Sequence, residues 1–212
     1  MIDKFETRIE NIDGVESWLW IQGDGGAWSG PMEDWRLYHK QKIMKWCKNF
    51  RVVIQAGGCM GMYPRLLSNI FDVVYTFEPA EHNFHCLVNN CLDRKVIKFN
   101  AAVGATNSLI SMRGGNDHNR GTAQVEERGH SYIPQMTIDS IKYRDCDLLM
   151  LDIEGHEGEA LKGAMETIHK FNPVIFVECG ERVKEWMNRL GYEAVDSAAQ
   201  DTIYVREKTE IL

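Results

Sequence analysis

One unit recurs from Arg51 onward: a short apolar run, a turn, then an amphipathic segment. The runs are Val52–Ile54, Val73–Phe77, Val96–Phe99, Leu148–Ile153 and Val174–Val177. They read as buried strands, and the segments between them predict helices over Tyr63–Asn69, Glu81–Cys91, Glu157–His169 and Glu181–Leu190. Strands alternating with helices pair in parallel through right-handed crossovers, which puts helices on both faces of the sheet. Tyr192–Val195 and Thr202–Val205 flank a polar turn, the pattern of an antiparallel hairpin at a sheet edge. The predicted fold is α/β, doubly wound (Rossmann-like), with a mostly parallel sheet and helices on both faces.

Two stretches stand outside this rhythm. Residues 1–50 read as an N-terminal extension packed on a main domain of residues 51–212. In the extension, Trp18, Trp20 and Trp28 flank the loop-like Gly23-Asp24-Gly25-Gly26, and Glu33–Cys47 has a helical apolar face. Tryptophans there either anchor the terminus to the core or stack on a ligand. Residues 104–135, rich in Gly, Ser, Asn and Arg, read as a long loop or lid; Arg113, His118 and Arg120 in it are candidates to grip an anionic group.

Composition narrows the class. The chain has 212 residues, enough for one domain with its own core. Its formal net charge of −7 argues against a sequence-blind grip on nucleic acid, which needs clustered cations. Apolar runs stay well short of the roughly 20 residues that span a membrane. The first ten residues carry Asp3, Glu6 and Glu10 and lack the apolar core of a signal peptide, so the expected location is cytoplasmic. Six cysteines (Cys47, Cys59, Cys86, Cys91, Cys146 and Cys179) form no C-x-x-C pair, and they read as reduced thiols, mostly buried.

Three segments carry candidate chemistry. In Gln55-Ala56-Gly57-Gly58-Cys59-Met60-Gly61 a strand enters a glycine turn ahead of a helix, where a ligand can approach backbone N–H groups. Glu78, ahead of Pro79, ends the next strand 21 residues beyond Gly57. Doubly wound folds bind ribose hydroxyls with an acid about 20 residues on; the bland role for Glu78 is a charge near a helix N-terminus. Third, Asp152, Glu154 and His156 follow a buried strand. They are candidates for general base, substrate clamp or cation ligand, whereas Glu154 and Glu157 also suit a helix cap. No metal ligands are assigned.

Taken in order, these blocks resemble the FkbM-type methyltransferases. The resemblance is carried by the glycine turn, Phe77-Glu78-Pro79, Ala101-Ala102-Val103-Gly104, Thr137-Ile138-Asp139-Ser140, Asp152-Ile153-Glu154-Gly155-His156-Glu157, Leu161-Lys162-Gly163-Ala164 and Pro173–Glu178, across roughly Arg51 to Val205. It implies a class I sheet of seven strands, the last antiparallel, S-adenosylmethionine as cofactor, and methylation of a hydroxyl on a sugar or other small molecule. Gln55, Gly57, Gly58, Cys59 and Gly61 would line the turn under the cofactor's methionine. Glu78 and Pro79 would border the ribose, Asn100 and Ala101 the adenine, and Asp152 the methionine amino group or the acceptor. Gln55 departs from the pattern, which opens this turn with an acid.

Methyl transfer to a hydroxyl benefits from a base, and Asp152, Glu154 and His156 are the candidates. Two rivals stay open: a non-catalytic cofactor-binding protein, suggested by Gln55, and an NAD(P)-dependent reductase. The reductase needs Tyr-x-x-x-Lys after the glycine turn, whereas Tyr38 and Lys42 precede it.

Overall fold

The computed structural model describes residues 7–12, 15–24, 32–113, 124–126, 131–178, 180–198 and 201–206. Trp28, His118, Arg120 and Cys179 lie outside them, as do the side chains of residues 7–17, 32–37 and 113. The chain opens with an antiparallel pair, β1 (Thr7–Ile12) and β2 (Val15–Ile21), and then helix α1 (Met32–Trp46). Alternation follows: β3 (Val52–Ala56), α2 (Met62–Ser68), β4 (Val73–Phe77), α3 (Glu81–Asn90) and β5 (Val96–Phe99). Short strands β6 (Ala102–Val103), β7 (Ser108–Arg113), β8 (Gln124–Glu126) and β9 (Ser131–Met136) come next. The chain closes with β10 (Leu148–Leu151), α4 (Glu157–Lys162), α5 (Met165–Phe171), β11 (Val174–Glu178), α6 (Lys184–Arg189), β12 (Glu193–Ala198) and β13 (Asp201–Val205).

Seven strands build the main sheet in the order β12-β13-β11-β10-β3-β4-β5. β13 alone runs against the others, inserted between β11 and β12, as the expected edge hairpin requires. The order reverses direction between β3 and β10, the switch point where open α/β sheets form a crevice.

Successive side chains on a strand point to opposite faces, so each strand feeds two cores. One core joins Ile54, Phe77, Leu149, Leu151, Ile175 and Val177 to Leu161 and Ile168 of α4 and α5. The other joins Val53, Val74, Met150 and Phe176 to Ile43 and Cys47 of the extension and to Leu67 of α2. This second face also receives Gln55 and Thr76, neighbours in the β3–β4 register.

Within the stretch expected as a long loop, 104–135, the described residues include three strands. β7, β8 and β9 join β6 in a separate four-stranded sheet ordered β6-β9-β7-β8. Polar residues hid its alternation, because part of it faces a cleft rather than a core. The helix expected over Glu157–His169 is two helices, α4 and α5, broken at Gly163. A side chain at Gly163 would stand 2.0 Å from the Gly104 carbonyl oxygen, so β6 and the break pack backbone to backbone. Likewise Gly180–Arg182 is a 3-10 turn before α6.

Two tryptophans of the extension, Trp18 and Trp20, are anchors. Trp18 and Trp20 are buried, Trp20 packs with Met60 and Cys86, and Arg65 lies over the Trp18 ring. Asn90 fastens β2 to α3 through both Leu19 backbone groups, at 2.7 Å and 2.8 Å. At the other end of the extension, Lys42 and the Trp46 indole bond Asp196 on β12.

Candidate functional site

β3 ends in a turn that only glycine can make. Gly57 sits at φ 88°, and Gly57 and Gly58 both donate to the Phe77 carbonyl at 3.0 Å. At Gly57 a side chain would meet the Asp152 carbonyl oxygen at 1.8 Å, so the β3 turn and the end of β10 lie in direct backbone contact. Gly58 packs inward, where a side chain would strike Leu87 and Thr76. Cys59 takes a left-handed φ of 44°, and Gly61, at φ 101°, starts α2.

Glu78 closes this turn from β4. Its Oε2 accepts from the Cys59 N–H at 2.8 Å, while Oε1 accepts from the Ala80 N–H at 2.8 Å and from the Asn83 amide at 3.5 Å. Oε2, with one donor, keeps lone-pair capacity for a further one. With the residue only 4% exposed, burial pushes its carboxyl up to about 7, and the two backbone N–H groups and Asn83 oppose that rise.

The turn after β10 carries the densest charge. Glu154 is held at φ 56°, a conformation costly for a residue with a side chain, ahead of Gly155 at φ 98°. Glu157 fastens the turn itself: its Oε1 accepts from Ile153 N at 3.2 Å and Gly155 N at 3.0 Å. Asp152, Glu154 and Glu178 each place a carboxylate oxygen within 4.8 Å of the others. Burial, then the Glu178 charge and a hydrogen bond with it, hold the Asp152 carboxyl well above the usual carboxylate range. Burial and Glu178 also raise Glu154. Among the described residues this is the one grouping of three acids close enough to share a cation. Glu178 pairs in register with Asp201, whose carboxylate lies 2.9 Å from His39 Nε2 on α1.

His156 follows at the entry to α4. Burial lowers its pKa, so the neutral imidazole is favoured. Its Nε2 lies 3.2 Å from Gln135 Oε1 on β9.

These elements surround a solvent-open cleft of about 490 Å³ at the strand ends. Of the residues singled out in the sequence, Gly57, Glu78, Pro79, Ala101, Asp152, Glu154 and His156 line it. Gln55, Gly58, Cys59, Gly61 and Asn100 are not part of its lining. Gln55 is fully buried: it accepts from Thr76 Oγ1 at 2.5 Å and donates to the Ala56 carbonyl at 3.1 Å, which leaves it structural rather than a cleft group. Asn100 donates to the Glu78 and Pro79 carbonyls and so holds the β4 exit. Gly58, Cys59 and Gly61 shape the turn from outside the lining. Sequence reading missed Met112 and Val125, which bring β7 and β8 over the cleft, and Glu178, whose contact with Asp152 arises only from the β10–β11 pairing.

A sheet of this order, with a cleft bordered by a glycine turn and two strand-end acids, defines a class I methyltransferase fold. The methyltransferase FkbM domain matches residues 59–194, well over half of the chain, and the chain belongs to that family. The chain is similar in fold to the methyltransferase FkbM from Methylobacillus flagellatus KT, with a TM-score of 0.57 and 16% identity over 79% of this chain. It spans about half, 46%, of that structure's chain. A SAM-dependent methyltransferase from Leishmania major is also similar: TM-score 0.53, 13% identity, 86% of this chain and 77% of that one. No curated protein matches the sequence.

The family's cofactor is S-adenosylmethionine, and the cleft suits it. The molecule carries an ammonium and a sulfonium, and the wall offers Asp152 and Glu154, acids that burial and mutual repulsion leave in want of positive charge. Glu78 could accept ribose hydroxyls, and the apolar Phe77, Ala101, Ala102 and Val103 could flank an adenine ring. No helix among the described residues is long and apolar enough to cross a membrane.

Proposed function

We propose that this chain is an S-adenosylmethionine-dependent O-methyltransferase acting on a hydroxyl of a sugar or other small molecule. The observation that carries the reading is the shared cleft: Glu78, Gly57, Glu154 and His156 all line it. A cofactor and an acceptor therefore meet beside groups able to take a proton.

The cofactor supplies an electrophilic methyl on a sulfonium; the protein supplies alignment, dryness and a base. Glu78 accepts the ribose hydroxyls. Asp152, held above the usual carboxylate range by burial and by Glu178, would balance the cofactor's positive charge. Met112 and Val125 exclude water above the reacting centre. His156, whose neutral form burial favours, would take the acceptor's hydroxyl proton, while the bound cofactor would supply the methyl. Glu154 hydrogen-bonds the acceptor's remaining hydroxyls. Among the described residues the lining holds acids and a histidine and no lysine or arginine, which suits a neutral polyol better than a phosphorylated one.

The non-catalytic reading drew on Gln55, but that side chain is committed to Thr76 and the Ala56 carbonyl and does not bear on the cofactor's ammonium. The test is a transfer assay with labelled S-adenosylmethionine against panels of monosaccharides, polyols and small phenols. Label should pass to a sugar or polyol and fall about 100-fold in His156→Gln. Transfer only to phenols, or none to any panel while the cofactor binds, would contradict the acceptor assignment.

A further inference from the structure

We propose that Gln135 is a positioning residue for His156, holding the imidazole in the tautomer with its proton on Nε2 and leaving Nδ1 as the nitrogen able to take a proton. The role in turnover rests on the reading of His156 as the base; the tautomer itself does not.

The Gln135 amide cannot be turned around. Gln135 is 8% exposed, and its Nε2 lies 2.9 Å from the Thr106 carbonyl oxygen and 3.2 Å from Ser108 Oγ. A carbonyl oxygen only accepts, so the amide group facing Thr106 must be the NH₂. Flipping the amide would set two oxygens against each other and abandon that bond. Oε1 is thereby fixed toward His156 Nε2, 3.2 Å away. An amide oxygen also only accepts, so Nε2 is the nitrogen that carries the hydrogen. A neutral imidazole has one N–H, and the lone pair therefore falls to Nδ1.

A second observation shows that the backbone makes room for this arrangement. A side chain at Gly104 would stand 2.4 Å from both Cδ and Oε1 of Gln135. The bare Gly104 backbone is what lets the amide lie between β6 and the histidine. Gly104 in turn is packed by Gly163, where α4 breaks from α5. The amide bond to Nε2 also survives proton uptake, since the imidazolium keeps its Nε2–H. Only Nδ1 changes state, so the ring need not rotate during the reaction. A carboxylate in place of Gln135 would orient the ring equally well but would stabilise the imidazolium and slow proton release. A neutral amide orients without trapping the charge.

Long-range proton–nitrogen correlation spectra of the full chain test this, with His156 assigned by the signals lost in His156→Gln. The wild type above neutral pH should show the nitrogen pattern of the Nε2–H tautomer. Gln135→Leu, which keeps volume and removes the acceptor, should give a mixture or the Nδ1–H form and lower transfer to the best sugar or polyol about tenfold. Gly104→Ala, which displaces the amide from the other side, should move the same signals. A wild-type spectrum of the Nδ1–H form overturns the proposal without any variant, and an unchanged tautomer in a folded Gln135→Leu does so as well. If the tautomer is as stated but His156→Gln leaves transfer intact, the base assignment fails while the positioning by Gln135 stands.

Discussion

Gly57 and Asp152 meet backbone to backbone: a methyl in place of the Gly57 hydrogen would stand 1.8 Å from the Asp152 carbonyl oxygen. The glycine turn and the acidic turn are thus one rigid unit, built across the β3–β10 switch point. Gly57→Ala combines that clash with a positive φ that side chains disfavour. We expect a loss of at least about 2 kcal/mol in urea unfolding and no measurable cofactor binding. A stable variant with intact binding would refute the contact.

Glu78 gives a pH dependence whose sign is fixed. Its folded carboxyl is raised to about 7, above its ordinary value of 4.5. Its protonated form therefore supports the empty protein fully below the unfolded value, and that support is lost as pH rises through about 7. Ribose hydroxyls prefer the ionised form, so cofactor affinity should rise about tenfold from pH 6 to pH 8. Calorimetry of wild type and Glu78→Gln checks this: the variant should bind weakly and show no such slope.

Asp152 sets stability against function. Its carboxyl is raised by burial and by Glu178, so in the empty protein it favours low pH and becomes a liability as pH rises. Asp152→Asn should raise the melting temperature of the cofactor-free protein at pH 8 while weakening cofactor binding by tenfold or more, about 1.4 kcal/mol. Thermal melts with and without S-adenosylhomocysteine read both effects. A lower melting temperature in the variant would mean that the carboxylate is compensated in some other way.

Gln55 invites restoration of the family's acid, and the structure predicts that this fails. Gln55→Glu would set a buried carboxylate against the Ala56 carbonyl and lose the donor now bonded to it. The expected cost is about 2 kcal/mol or more at pH 8, with no gain in cofactor affinity. Tighter binding in the variant would show that position 55 faces the ligand after all.

The main sheet was legible because its strands are buried on both faces: Val52–Ala56 and Leu148–Leu151 read as continuous apolar runs without any partner in view. Gly57, Glu78 and Asp152 were legible because positive φ and strand-end acids leave local marks. β7 to β9 were not, since Ser108, Ser111 and Gln135 interrupt the alternation in strands that border a cleft and a polar network rather than a dry core. Neither was Glu178, or the bond from Gln135 to His156. Such pairs are made by strand order, which joins residues far apart in the chain, and nothing in their neighbourhoods announces the partner. Gln55 misled for a related reason: its place in the turn pattern suggests the ligand, while β3–β4 pairing gives it Thr76.

Glu78, Gly57 and Asp152 are proposed to border an S-adenosylmethionine site. Titration calorimetry of S-adenosylmethionine and S-adenosylhomocysteine into the full chain tests it most directly. The prediction is one site per chain with Kd below about 100 µM for both, lost in Gly57→Ala and weakened at least tenfold in Glu78→Gln. Absence of binding by either compound at millimolar concentration, with a nicotinamide dinucleotide binding instead, would contradict it.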